Sequence, residues 1–500
     1  TIRNGNISSG DAAVIVMGYA DVVMENVSVK TDGRYGLELY GECDQSVTAE
    51  GCTFEGDTSG VVVFGAEKTG MTAAFSATGC TIKGGDYGVS GNGTYHLTTI
   101  DIVDSKVSSD RGTAIYHPQV GTLTISGGSE ISGISGIEMR AGTLKISGNV
   151  SVVATAEEFS VSDLGDGPRF DGVALGVSRY FEGSDRGVTL DISGGTFVAQ
   201  DKGYAFYEKD IAVAGAEDNT SLSFAGATFN GDLYSENETG FIKSGTFSEV
   251  FDSKYLSDST ALYIPTGDGA SGYVVAPTSG APEGASVVAA VMDGKGYASI
   301  SDAIAAINDT EQHTITLVDL DGYNDNSVTG EGVFLGAGDK NIVIDFNGLT
   351  YNVNTLVGSS GTESQLFHLE KGNTVTLKNG KIGVDEAVSK DVGMFIQNYS
   401  YLTLDGMTVD SSSYAGVSYT ISNNNGSLTV TGKTAIKAAD GKVAFDVWYG
   451  MSALYYDGVT VTFDEGFTGT VSGKVEYGAA TANSEWMEKT KIEFNSPDGV

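Results

Sequence analysis

A degenerate repeat runs through the first half of the chain and constrains the fold more than any other feature. Each copy has a glycine, asparagine, aspartate or serine at a corner and an apolar residue three positions later. About nine residues after the corner stands a second mark, a glycine followed by the pattern apolar-any-apolar. The corners are Asn4, Asn26, Gly51, Gly79, Asp104, Gly128, Asn149, Gly194, Gly226 and Ser244. The second marks are Gly36, Gly60, Gly88, Gly112, Gly136, Gly172 and Gly203. Most corners are about 21–28 residues apart, which is the length of one coil of a solenoid.

Short alternating segments between the corners indicate β-strands. In the coil that covers residues 123–139, alternation places Leu123, Ile125, Ile131, Ile137 and Met139 inward and the polar residues outward. One coil cannot bury its apolar face alone, but stacked coils do so and pair their backbone groups. The repeat therefore predicts an all-β parallel β-helix. At about 4.8 Å per coil, its corners predict a rod on the order of 45 Å long.

A change of composition near residue 263 predicts a second domain. We expect one parallel β-helix over residues 1–262, a Pro/Gly/Ser-rich linker over 263–290 that holds half of the prolines, and a second β-helix over 291–500. Residues 299–307 carry isoleucines at helical spacing after a serine N-cap, which predicts a short N-terminal capping helix for the second domain. The second series of corners is Asn347, Asn379, Asp405 and Thr431, each followed by glycine. The inward residues there are predicted to be Ile342, Ile344, Val375, Leu377, Leu402, Leu404, Leu428 and Val430.

The charge balance excludes some partners. With 28 basic and 65 acidic residues the net charge is −37, so the surface repels nucleic acid and anionic membranes. No apolar run reaches the roughly 18 residues of a membrane span, so we expect no membrane insertion in this segment. Cys52 and Cys80 hold equivalent positions one coil apart; a disulfide would fit, but two buried thiols are the favoured interpretation.

One coil carries two insertions, at about residues 154–171 and 178–187. About 23 residues separate Asn149 from Gly172, against about nine in the other coils. Long loops on a rigid scaffold often carry function, although a solenoid also tolerates neutral insertions. The candidate binding residues in these insertions are Arg169, Phe170, Arg179, Tyr180, Phe181 and Asp185.

The sequence patterns that would indicate metal-binding or sugar-binding residues are weaker. The four histidines have no metal-ligand spacing, and His117 is expected at the surface or a strand end. Asp319, Asp321 and Asp325 offer oxygen ligands within one turn, which makes them weak calcium candidates. An acidic solvated turn is the alternative, and no other cofactor is predicted. Aromatic residues near strand ends, including Tyr204, Tyr207 and Trp448, either stack on sugar rings or pack locally.

Several motifs together resemble a known family. They are the corners Gly51–Cys52–Thr53–Phe54 and Gly79–Cys80–Thr81–Ile82, the corner at 193–197, the segment 244–256 and the helix ahead of the strand at 314–317. In this style of repeat the chain resembles the right-handed parallel β-helix of the pectin-lyase-like superfamily. More narrowly, it is similar to adhesin-like surface proteins of anaerobic, often gut-dwelling bacteria. The resemblance implies two tandem right-handed parallel β-helices.

The same resemblance bears on activity. The catalytic sequence blocks of pectate lyases and polygalacturonases are absent here, so no catalytic residue is transferred. We therefore expect a non-catalytic, extracellular bacterial cell-surface adhesin-like or stalk protein. Its monomeric rod would present loops to a glycan or to a protein of a host or neighbouring cell. The alternatives are a polysaccharide lyase or glycoside hydrolase with a site on a β-helix face, and a phage tail-spike or other fibre component. Because the pattern continues to both ends, we expect the chain to be a segment of a larger secreted protein.

Overall fold

Nearly all of the regular secondary structure in the described residues is β-strand, divided between two units. The computed structural model describes residues 1–40, 43–64, 70–92, 97–163, 168–179, 187–209, 219–266, 271–323, 325–450, 456–481 and 484–495. Unit 1 is Thr1–Gly284 and unit 2 is Ala285–Val500. Within the described ranges the only α-helices are α1 (Ile300–Ala306) and α2 (Ser484–Glu488). The predicted all-β class is confirmed.

Unit 1 consists of short strands joined by tight corners. Its strands are β1 (Ile2–Ser9), β2 (Val14–Val16), β3 (Ala20–Thr31), β4 (Tyr35–Leu39), β5 (Gln45–Glu50), β6 (Thr53–Gly56), β7 (Ser59–Phe64), β8 (Thr72–Thr78), β9 (Thr81–Gly84), β10 (Tyr87–Asn92), β11 (Leu97–Val103), β12 (Lys106–Ser109), β13 (Thr113–His117), β14 (Gly121–Ser126), β15 (Glu130–Gly133), β16 (Ser135–Met139), β17 (Gly142–Ile146), β18 (Ser151–Ala154), β19 (Ser160–Asp163), β20 (Pro168–Asp171), β21 (Val173–Val177), β22 (Val188–Ile192), β23 (Thr196–Val198), β24 (Tyr204–Glu208), β25 (Ser221–Phe224), β26 (Ala227–Asn230), β27 (Asp232–Ser235), β28 (Gly245–Phe247), β29 (Thr260–Ile264) and β30 (Tyr273–Pro277). Single-turn 3-10 helices lie at Ser253–Tyr255 and Thr278–Gly280.

Each coil of unit 1 places three strands directly over those of the coil before it. Strands β11, β12 and β13 pair in parallel with β14, β15 and β16 of the next coil. Ile102, Ile125, Ile146 and Ile192 lie in register and are at most 1 % exposed, so the core is a stack of apolar side chains inside the coil. The fold is a parallel β-helix, as the repeat predicts. One of its faces is the nine-strand sheet β2-β4-β7-β10-β13-β16-β21-β24-β27.

The corners require a left-handed backbone, which explains their composition. In the first coils the positive φ falls on the predicted residues, for example 53° at Asn4 and 60° at Gly79. Gly226 also has a positive φ as predicted, but four of the later corners are one residue out. The prediction placed them at Gly128, Asn149, Gly194 and Ser244, whereas the residues with positive φ are Gly127, Gly148, Gly195 and Gly245. Two candidate corner residues stand side by side at each of these sites, so register with the adjoining coil decides between them.

A ladder of side-chain acceptors lines the inside of one corner. The backbone N–H of Val27 donates to Cys52 Sγ at 3.5 Å, and that of Cys52 donates to Cys80 Sγ at 3.4 Å. The N–H of Cys80 then donates to Ser105 Oγ at 3.0 Å. Both thiols are free and buried, and burial raises the pKa of Cys80 to about 11. The interpretation of Cys52 and Cys80 as buried thiols is therefore confirmed.

Because serine is the third acceptor of this ladder, Cys52→Ser is expected to leave the stability of unit 1 nearly unchanged. Cys52→Val fills a similar volume but leaves the N–H of Val27 without its acceptor, which costs about 1–3 kcal/mol in the free energy of unfolding. Calorimetric unfolding and hydrogen exchange at Val27 measure the difference. Equal stability of the serine and valine variants would contradict a role for the acceptor.

The segment predicted as a linker, residues 263–290, contains ordered strands. Strands β29 and β30 pair antiparallel, and β30 also pairs antiparallel with β28. Tyr263, Tyr273 and Val275 are buried, and Pro277 is the last residue of its strand. Apolar residues in this segment therefore close unit 1 with antiparallel strands, and the division between the units falls at Gly284, inside the predicted linker. The proline and glycine content suggested a linker because proline suits strand ends as well as linkers.

Unit 2 repeats the architecture with longer coils. Its strands are β31 (Ser286–Val287), β32 (Ala290–Met292), β33 (Lys295–Tyr297), β34 (Gln312–Leu317), β35 (Ser327–Glu331), β36 (Val333–Leu335), β37 (Asn341–Asp345), β38 (Thr350–Thr355), β39 (Gln365–Leu369), β40 (Thr374–Val384), β41 (Met394–Asn398), β42 (Tyr401–Asp410), β43 (Tyr419–Ser422), β44 (Ser427–Thr431), β45 (Ala435–Lys437), β46 (Val443–Tyr449), β47 (Val459–Phe463), β48 (Thr470–Ser472), β49 (Lys474–Ala479) and β50 (Thr490–Phe494). One face is the six-strand sheet β36-β39-β41-β43-β46-β49. Ile344, Leu377, Leu404 and Val430 are in register and buried, so the predicted inward positions are confirmed.

Helix α1 begins where the sequence predicts. Ser299 is its N-cap, and its side chain accepts the N–H of Asp302 at 3.0 Å. Ile300, Ala303 and Ile304 are buried within the core of unit 2. That this helix caps the end of the core stays a prediction. Within the described ranges, no helix has the length and apolar character needed to cross a membrane.

Candidate functional site

The first predicted insertion forms a hairpin on the nine-strand sheet. Strands β19 and β20 pair antiparallel, with Val161 opposite Phe170 and Ser162 opposite Arg169. The Phe170 ring lies against the sheet at Gly176, where an added Cβ would be 3.5 Å from its Cδ2. That separation is an ordinary van der Waals contact, so the ring packs directly over this outward position. The insertion is therefore seated against strand β21.

Aromatic rings surround the base of the hairpin. Tyr207 lies 4.7 Å from Phe159, 4.9 Å from Phe170 and 5.0 Å from Tyr234, between ring centroids. Tyr204 contacts Phe159 at 5.0 Å. Phe170 and Tyr207 are buried, whereas Phe159, Tyr204 and Tyr234 are half-buried. Burial raises the pKa of Tyr207 to about 12, so its hydroxyl stays protonated at neutral pH. The result is a platform of partly exposed rings on the outer face of the sheet.

A charged cluster continues the same face on the neighbouring strands. Glu138 is in register with Tyr116 on one side and Gly176 on the other. The Arg140 guanidinium donates to Glu138 Oε1 at 3.1 Å and lies 5.0 Å from the centre of the Tyr116 ring. The side chains of this ion pair are only 2–3 % exposed. The cluster thus brings a buried carboxyl, a guanidinium and an aromatic ring together on adjacent coils.

Arg169 and Tyr87 border this cluster. Arg169 forms an ion pair with Asp171 at 2.9 Å, and its Nη1 would be 3.4 Å from a Cβ at Gly112. The Tyr87 ring lies 5.5 Å from that of Tyr116. Burial raises the pKa of Tyr87, while the positive charge of Arg169 opposes that rise. Tyrosine rings and arginine guanidinium groups therefore lie next to each other on this face.

The carboxyl group of Glu138 has a perturbed pKa. Burial raises its pKa, although the charge of Arg140 and the hydrogen bond that Ser178 Oγ donates to Oε1 lower it. Its other oxygen, Oε2, is buried and has no hydrogen-bond partner among the described residues. A buried polar atom without a partner costs free energy, so such atoms tend to mark strained or functional positions. Glu138 is therefore a buried carboxyl with one oxygen left without a partner among the described residues.

A groove of about 690 Å³ lies beside the hairpin. It is lined by Ile134, Ala156, Glu157, Glu158, Ser160, Asp171, Gln200, Asp201 and Lys202. Its carboxylate and amide groups are hydrogen-bond partners for hydroxyl groups. Asp171 links the groove to the charged cluster through Arg169.

The structure brings together only part of the predicted set. Arg169 and Phe170 lie on the hairpin, one beside the charged cluster and the other within the aromatic platform. Arg179 is 2 % exposed and donates to Asn219 Oδ1 at 3.1 Å, a buried structural contact. Tyr180, Phe181 and Asp185 lie outside the described residues. The sequence analysis missed Glu138, Arg140, Tyr87 and Tyr116. The alternation of the predicted strand nevertheless places Glu138 and Arg140 on the same outward face, which could have identified this pair.

The calcium candidates share one turn of unit 2. Asp321 Oδ1 accepts the N–H of Tyr323, and Asp325 Oδ1 accepts that of Ser327, both at 2.9 Å. Burial, followed by the charge of Asp321, raises the pKa of Asp319 to about 6. No group of three or more His, Cys, Asp or Glu side chains arranged to hold a metal occurs in the part of the chain that the structure describes. Calcium binding therefore stays a sequence-based prediction.

Comparison with known families supports the fold in the first coils of the chain. Residues 1–99 match the family model of the right-handed β-helix region. No curated protein matches the chain. With its parallel coils, the protein is a right-handed parallel β-helix protein.

Proposed function

We propose that this protein is an extracellular bacterial surface protein that binds a glycan through the outer face of its nine-strand sheet. The observation that carries the proposal is the row formed by Tyr116, Glu138, Tyr207 and Tyr234 around Gly176, where the inserted hairpin sits. The half-buried rings of Tyr204 and Tyr234 offer faces that stack on sugar rings, while the carboxylate and amide groups of the adjacent groove bond sugar hydroxyls. A stack of coils holds these groups at fixed spacing, which suits a repeating polymer. The resemblance to adhesin-like proteins supports the location at a cell surface.

Replacing Tyr204 or Tyr234 with alanine is expected to weaken glycan binding at least about tenfold, which corresponds to about 1.4 kcal/mol. Both rings are half-buried at the edge of the platform, so their loss leaves the buried Tyr207 and Phe170 in place. Tyr19→Ala is the matched control because Tyr19 is an exposed tyrosine of unit 1 outside the platform. A glycan array followed by calorimetric titration measures the effect. Unchanged affinity of the platform variants, or an equal loss in the control, would contradict this site.

A second function, polysaccharide cleavage, is favoured by Glu138. Its buried carboxyl has a raised pKa and lies beside Arg140 and Arg169, as a general acid next to charge-stabilising groups would. Glu138→Gln keeps the size and the hydrogen-bonding capacity of the side chain but removes its proton transfer. Release of reducing or unsaturated ends by the native protein, lost in Glu138→Gln while binding persists, would establish cleavage. Binding without release in both proteins would leave binding as the function.

A further inference from the structure

The outer face of unit 2 carries a second set of aromatic and acidic side chains. In the six-strand sheet, Asp446 is in register with Glu476, and Trp448 is in register with Gly478. Since residues 446 and 448 are two positions apart on one strand, their side chains lie on the same face. The same holds for 476 and 478. Neighbouring coils are about 4.8 Å apart, so the two carboxyl groups and the indole ring lie within the span of one sugar unit or two.

Gly478 holds the Trp448 ring against the sheet. A Cβ at position 478 would lie 2.8 Å from Trp448 Cζ3 and 3.1 Å from Cε3, so only glycine leaves space for the ring. Trp448 is nevertheless 38 % exposed. The indole is thus fixed on one side and keeps part of its surface exposed. Such a ring offers a rigid surface for stacking.

The carboxyl groups beside the ring are fixed by local hydrogen bonds. Asp446 is 7 % exposed, and its Oδ1 accepts the backbone N–H of Asn423. Tyr419 Oη donates to Glu476 Oε2 at 3.0 Å. Burial, with the charge of Glu476 as a further cause, raises the pKa of Asp446 to about 7. Near neutral pH this carboxyl group therefore both donates and accepts hydrogen bonds, as a sugar hydroxyl requires of its partner.

We propose that Trp448, Asp446, Glu476 and Tyr419 form a binding site for a neutral saccharide on unit 2. The indole would stack on one pyranose ring, and the acidic and phenolic groups would bond its hydroxyls. The net charge of −37 disfavours an acidic polysaccharide. A cationic ligand fits less well, because a single ring without an aromatic cage gives little cation–π stabilisation at an exposed position. The site is independent of the one proposed on unit 1, so the chain would hold a polymer at two places.

The small number of tryptophans makes a direct test practicable. The chain has two, and Trp486 packs against Tyr449 at 5.1 Å between ring centroids. Trp486→Phe keeps an aromatic ring there and leaves Trp448 as the single tryptophan, which is excited selectively at wavelengths that tyrosine does not absorb. Titration of this variant with neutral gluco-, manno- and xylo-oligosaccharides is expected to give a saturable change in Trp448 fluorescence. Polygalacturonate and polylysine serve as acidic and basic probes.

Point variants then test whether the fluorescence change comes from binding at Trp448. Trp448→Ala in the native background is expected to lower the affinity for the active oligosaccharide at least tenfold by calorimetric titration. Gly478→Ala is expected to do the same by displacing the ring. Phe334→Ala is the matched control, since Phe334 is an exposed aromatic residue on the first strand of the same sheet. Circular dichroism confirms folding of each variant. A fluorescence response to polylysine alone, no response to any neutral sugar, or an equal loss in Phe334→Ala would overturn the proposal.

Discussion

Replacing Arg140 with methionine is expected to lower the free energy of unfolding of unit 1 by about 3–5 kcal/mol. The substitution preserves apolar bulk but leaves the Glu138 carboxyl buried without its cationic partner, and breaking a buried ion pair from one side costs this much. The same change at an exposed pair, Arg3→Met beside Glu25, is the matched control and is expected to cost at most about 1 kcal/mol. Calorimetric unfolding and hydrogen exchange of strand β16 measure the loss.

The double variant Glu138→Gln/Arg140→Met separates the cost of the unpaired charge from lost packing. With the charge removed from both positions, most of the stability is expected to return. The loss in the single variant is also expected to shrink at low pH, because a buried carboxyl without a cation takes up a proton. If Arg140→Met costs no more than Arg3→Met, Glu138 is not held as a buried anion. The pair would then be a neutral hydrogen-bonded contact.

The fold was predictable because a solenoid repeats one physical requirement in every coil. Alternation identified the buried stack of Ile125 and Ile146, and the corners followed from the few residues that accept a positive φ. The predictions were wrong where the same residues are compatible with two local structures. Pairs of adjacent corner residues left the turn ambiguous by one position, and a proline-rich segment that forms β30 resembled a linker.

The site was less predictable because it depends on the register between coils. The repeat pattern aligned the second mark Gly112 with Gly136 of the next coil. In the structure Ile115 pairs with Ile137, so the residue beside Gly136 is Ala114, two positions later. An error of two residues moves Tyr116 out of line with Glu138, so the cluster cannot be assembled from the pattern alone. His117 illustrates the same limit. It was expected at the surface or a strand end; it does end strand β13, but it is buried there, and its pKa falls to about 4 through desolvation.

Unit 2 is expected to lose stability as pH rises from about 4 to about 7, through Asp446. Its pKa is raised from 3.8 to about 7 in the folded chain, chiefly by burial. In that window the unfolded chain has released the proton and the folded chain still holds it, so deprotonation favours unfolding. At 1.36 kcal/mol per unit, the upper bound is about 4 kcal/mol. Asp446→Asn keeps an acceptor for the N–H of Asn423 and cannot titrate.

The difference between the native protein and Asp446→Asn isolates this effect from the titration of the other acidic groups. Both tryptophans, Trp448 and Trp486, lie in unit 2, so their fluorescence during denaturation reports on that unit. The variant is expected to match the native protein near pH 4 and to become the more stable of the two above pH 7. A difference that does not change with pH would mean that Asp446 is already ionised in the folded chain. Its environment would then stabilise a charge, and the carboxyl beside Trp448 would act only as a hydrogen-bond acceptor.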